Sequence, residues 1–146
     1  MRLMILARSV LLMAALLAAA NAPANAAGSG DAAANMAADV KACANARTLT
    51  RITERFAWAE RNTWQRGYEI AAVKDPRLRY SVFNGPSMIR HRHCRATAIM
   101  TNGARRTLFY TVSAGMGFAS IGHGVDFCLA GLDPWHVHGA ACRSLR

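Results

Sequence analysis

The chain has 146 residues, of which 18 are Lys or Arg and eight are Asp or Glu, a formal net charge of +10. A length of this order holds one domain rather than several. Four cysteines and five histidines are the only dense sources of chemistry, which excludes signatures that depend on long motif arrays.

The first segment is read as a leader and not as part of the fold. "MRLMILAR" supplies Arg2 and Arg8 without an acid, the apolar run Val10 to Ala20 follows, and Ala24-Asn25-Ala26 gives an A-x-A exit. These are the features of a secretory signal peptide over 1–26. Eleven apolar residues at about 1.5 Å each are too short for a ~30 Å hydrocarbon core. Cleavage after Ala26 leaves 120 residues. The leader takes two of the 18 basic residues and none of the eight acids, so the remainder carries +8. Lys41 and Lys74 are the only lysines, and the charge is therefore nearly all arginine. Arginine's planar fork suits phosphate and carboxylate. The expected location is periplasmic or secreted. The expected partner is an anionic envelope component or an acidic protein, and the charge also suits peripheral contact with a membrane. Export argues against nucleic acid.

Residues 27–38, "AGSGDAAANMAA", are small and without period, and read as a flexible lead-in to a single domain over 39–146. From about Asp39 to Arg66 the pattern is helical. Leu49, Ile52, Phe56 and Ala59 recur at three- and four-residue steps, with Gly67 as the stop. Arg47, Arg51 and Arg55 form a second row at i, i+4, where like charges repel by a few tenths of a kcal/mol per pair. That row is either a solvated face or a ridge for a negative partner.

After Gly67 the period becomes two. "YEIAAV" and "LRYSVF" read as strands separated by a turn at "KDPR". "NGP" at 84–86 breaks the chain again. "IRHRHCRATAIM" and "TLFYTVSA" flank Asn102-Gly103, a hairpin signal. A glycine-rich connection and the strand "VDFCLAGL" complete the series. The fold class expected is α+β: one N-terminal helix packed on a four- or five-stranded antiparallel sheet, with two disulfides.

Four cysteines allow three pairings. Cys128 and Cys142 lie close in sequence, and pairing them leaves Cys43 to tie the helix to the strand at Cys94. If Asn102-Gly103 are the two loop residues, His93 faces Val112, Arg95 faces Tyr110 and Thr97 faces Leu108. His91 and His93 then share one face with Arg95, while Cys94 points to the other with Arg92, Ala96, Ala98 and Met100. "HRHC" is therefore not one ligand cluster, and a Cys–His nucleophile pair is excluded there. A one-residue slip would exchange the residues of the facing strand.

Two His-x-His pairs, His91 with His93 and His136 with His138, leave an alternative function open: a metal-binding or metal-delivery protein for zinc or copper. His123, Asp126 and Asp133 are candidate completing ligands. Arg90, Arg92 and Arg95 crowd the first pair and work against a further cation. A small hydrolase ranks third, because Ser, His and Asp occur without a nucleophile elbow. The glycine-rich stretch lacks a Gly-Lys-Ser/Thr ending, so a phosphate loop is excluded by context.

"GVDFCLAGLD", followed by Cys142 and a short "RSLR" end, resembles a group of small exported bacterial proteins with a C-terminal Cys…Gly-Leu-Asp…Cys pattern. The resemblance covers the last third of the chain, implies a Cys128–Cys142 disulfide and transfers no catalytic residue. The leading expectation is a non-catalytic, exported binding or accessory protein of the cell envelope without a cofactor. Its anion contacts would come from Arg47, Arg51, Arg55, Arg90, Arg92 and Arg95.

Overall fold

The computed structural model describes residues 27–83, 89–116 and 122–146. The expected leader over 1–26, the break at 84–86 and most of the glycine-rich connection lie outside them. The chain divides into two compact units, up to Ala34 and from Asn35 onward. The fold described below is that of the second, which the helix beginning at Ala27 enters at Asn35.

The expected helix is present, but it starts earlier and is interrupted. Helix α1 spans Ala27–Cys43, and α2 spans Ala46–Ala59. Between them Asn45 adopts an extended backbone, and its side chain accepts a hydrogen bond from Thr48 N at 3.3 Å. Asparagine competes with the helical ladder for backbone donors, so it caps a new helix rather than continuing the old one. Thr48, Ile52 and Phe56, at successive i, i+4 positions, are the buried stripe of α2. A single π-turn over Glu60–Trp64 closes the helix, and Gln65 takes the left-handed conformation (φ 51°). The stop thus falls two residues before Gly67.

Four strands follow in an antiparallel sheet of order β1-β2-β3-β4: β1 Ile70–Val82, β2 His91–Met100, β3 Arg105–Ala114 and β4 His123–Leu129. "KDPR" is not a turn. One 13-residue strand runs through it, with a shift of register between Lys74 and Arg77 and Asp75 at φ 52°. Proline cannot donate to a ladder, and β1 is an edge strand, where the missing N–H and the bulge are tolerated.

The hairpin register also differs from expectation by one residue. Met100 N bonds to Ala104 O at 2.9 Å, and Gly103 takes φ 80°. The loop therefore has three residues, Thr101 to Gly103, with glycine in the left-handed position. His93 faces Thr111, Arg95 faces Phe109 and Thr97 faces Thr107. The slip places Leu108, Tyr110 and Val112, all fully buried, on the same face as Cys94, Ala96 and Ala98. Apolar side chains meet apolar ones across the pair, and each large one buried is worth about 1.5–3 kcal/mol. That gain decides the register.

This inner face packs under the helices. Cys43 is disulfide-bonded to Cys94, and the Tyr110 hydroxyl donates to Cys43 O at 2.7 Å. Burial raises the Tyr110 phenol well above its ordinary range. The outer face is covered in part by the C-terminal segment. There Phe109, Cys128, Cys142 and Leu145 form a second small core closed by the Cys128–Cys142 disulfide. The α+β class, the helical layer and both disulfide pairings are as the sequence predicts.

Candidate functional site

The six expected arginines do not gather in one patch. Arg51 Nη1 donates to His123 O at 2.9 Å and Arg55 Nη1 to Val125 O at 2.8 Å. Strand β4 is an edge, and the row on α2 satisfies two of its free carbonyls. One nitrogen of each guanidinium is committed to the fold, while Arg47 stays exposed at the start of the row. Arg90 and Arg92 converge on Asp39, at 3.2 and 2.6 Å. Asp39 is 3 % exposed. Burial works to raise its carboxyl, but hydrogen bonds from Arg92 and Ser81 and the charges of Arg92 and Arg90 outweigh it. The net effect holds the group below the usual carboxylate range. Arg95 alone of the six stands on the outer sheet face.

That outer face carries two arginines outside the expected set. Arg77 lies directly opposite Arg95 in the β1–β2 register. The Arg79 and Arg95 guanidiniums sit 5.9 and 6.0 Å from the centre of the same ring, Phe109, and Arg79 is also 5.7 Å from the Tyr80 ring. The ion pairs among the described residues are Arg66–Glu60 and those of Arg90 and Arg92 with Asp39. Asp75 lines the same polar hollow as Arg77 and Arg95 without pairing with either. A turn at "KDPR" would remove Arg77 from the sheet face. The continuous strand sets Arg77 beside Arg95.

The histidines point outward, as predicted, and Cys94 points inward. His91 Nδ1 lies 2.8 Å from Ser113 Oγ, and His93 Nδ1 lies 3.2 Å from Thr111 Oγ1. Tyr80 stacks on the His93 ring with centroids 4.3 Å apart. The hydroxyl–imidazole distance at Ser113 would suit a nucleophile and base, but Ser113 is only 4 % exposed. Its hydroxyl serves the rung of the sheet. His136 and His138 lie in the turn after β4, where the backbone N–H of His138 donates to Asp133 Oδ2 at 3.0 Å. Among the described residues no three His, Cys, Asp or Glu side chains gather as a metal-holding group. The two His-x-His pairs therefore do not complete each other there.

Desolvation lowers the His93 pKa most, the charges of His91 and Arg79 add to it, and a hydrogen bond with the Leu145 backbone opposes it. The folded ring is held below its ordinary 6.5. An unfolded chain then binds the proton where the folded one does not, so this contribution is complete above that value and is lost as pH falls. Urea midpoints should drop between pH 8 and 5, and less steeply in His93→Gln.

Two formed disulfides fit an oxidising environment. Among the described residues no helix is long and apolar enough to cross a membrane. Compared with known protein families, curated proteins and solved structures, the chain matches none of them.

Proposed function

We propose that this is an exported, non-catalytic binding protein whose outer sheet face holds an anionic component of the cell envelope. One observation carries the reading: Arg77 and Arg95 oppose each other across the strands, and Arg79 and Arg95 share one aromatic ring, without an acid paired to any of them among the described residues. Like charges directly opposite in a sheet are unfavourable by roughly 0.2–1 kcal/mol. A bound anion removes that repulsion and gains charge-assisted, bidentate hydrogen bonds. Contact with Phe109 and Tyr80 holds the planar forks, which lowers the ordering cost of binding. The expected contacts thus shift from the α2 row to Arg77, Arg79 and Arg95.

Retention on heparin tests this. Arg77→Glu/Arg79→Glu/Arg95→Glu should weaken affinity at least about tenfold at roughly 0.15 M salt, given about 1.5–3 kcal/mol per charged hydrogen bond. Lys41→Glu/Arg47→Glu/Arg61→Glu makes the same change in net charge at exposed positions elsewhere, and should keep most of the affinity. Equal losses in the two triples would mean that retention follows net charge alone, and the reading fails.

A further inference from the structure

A separate cavity lies between the end of α2, strand β4 and the segment after it. Its volume is about 170 Å³, and its walls are mainly Phe56, Phe127, Leu129 and Leu132. An apolar protein cavity of ~150 Å³ is large enough to hold benzene. Trp64 of the lining meets Trp135 with ring centroids 4.5 Å apart. Trp135 is 70 % exposed and Val137 67 %, so two large apolar side chains stand in solvent beside an apolar hollow.

The charged groups on the lining are already satisfied within the chain. Arg66 pairs with the buried Glu60 and also donates to Leu132 O at 3.4 Å. Asp133 accepts from Val137 N at 3.1 Å and from His138 N at 3.0 Å. A charged ligand would enter an apolar space without a counter-charge to meet it, at a heavy desolvation cost. His138 also lines the space, and its imidazole is a remaining polar group among the lining side chains. From this balance we infer that the cavity binds a small uncharged aromatic molecule of single-ring size, carrying one hydrogen-bonding substituent. Trp64 offers such a ligand an aromatic partner on the lining, and its ring is placed by contacts with Arg66 and Trp135. The site shares none of Arg77, Arg79 or Arg95, so it stands or falls independently of the anion-binding reading.

The test titrates the oxidised protein with p-cresol, followed by tryptophan fluorescence and ligand-observed NMR. Benzoate serves as the charged comparison and cyclohexanol as the non-aromatic one. Saturable p-cresol binding is expected, with both comparison compounds at least tenfold weaker. Ala59→Phe, which fills the hollow from its wall, should abolish binding. Trp135→Ala changes a residue mostly in solvent, leaves the core untouched and should weaken binding at least fivefold. This second variant tests the site even if Ala59→Phe does not fold. Absence of saturation up to the solubility limit, equal binding of benzoate or cyclohexanol, or unchanged affinity in Trp135→Ala would each overturn the proposal.

Discussion

Replacing Asp39 with asparagine is expected to cost about 3–5 kcal/mol at neutral pH, the range seen when one partner is removed from a buried ion pair. A single carboxylate, 3 % exposed, answers two guanidiniums whose side chains are 24 % and 14 % exposed. Arg92 Nη1 is buried without a hydrogen-bond partner, which leaves Asp39 as the main compensation for that charge. Asparagine keeps the volume and removes the charge, so Arg92 would remain desolvated and unpaired. The loss has a definite pH dependence. The folded carboxyl titrates below its ordinary 3.8, so its contribution is fully present above that value and disappears as pH falls through the lowered one. Wild type and Asp39→Asn should therefore differ widely in urea midpoint at pH 7, and the difference should shrink steadily as the pH is lowered below 3.8. A difference that persisted in acid would assign the effect to packing instead of charge.

Removal of the Cys43–Cys94 bridge by a double alanine substitution should lower stability by about 4 kcal/mol, on the loop-entropy model for a separation of 51 residues. The Cys128–Cys142 bridge closes 14 residues and should be worth about 3 kcal/mol. The longer loop matters more because closing 51 residues removes more freedom from the unfolded chain than closing 14, and its bond also joins the helical layer to the sheet. The Tyr110 hydroxyl to Cys43 O hydrogen bond beside it depends on the same alignment. Thermal unfolding of the two double mutants under identical conditions gives the order directly. If the short loop proved the costlier, the chain-entropy account would be wrong for this protein and strand–tail packing would dominate.

Much of the architecture was legible because it rests on period and on cysteine count. Ile52 and Phe56 at helical spacing, and the alternation around Cys94, place the helix and β2 without any long-range information. Other features turned on contacts that local sequence does not encode. Asn102-Gly103 can close a loop of two residues or three. The choice was made by Leu108, Tyr110 and Val112 seeking the apolar side of β2, a stronger effect than the turn's own preference. Asp75-Pro76 reads as a turn by composition, yet at a sheet edge the same pair makes a bulge. The arginine row on α2 was visible, but β4 carbonyls that would receive Arg51 and Arg55 were not. Nor could the pairing of Arg90 and Arg92 with an aspartate some 50 positions away be read from their neighbours. The proposed contacts are Arg77, Arg79 and Arg95 for that reason.

The two bridges join the first cysteine to the second and the third to the fourth, on opposite sides of the sheet. In a chain delivered amino end first into an oxidising compartment, each thiol finds its final mate as the next one to emerge. Such an order calls for an oxidant but for no reshuffling of mismatched bonds. The second bridge can then close as soon as Cys142 arrives and fastens the segment after β4.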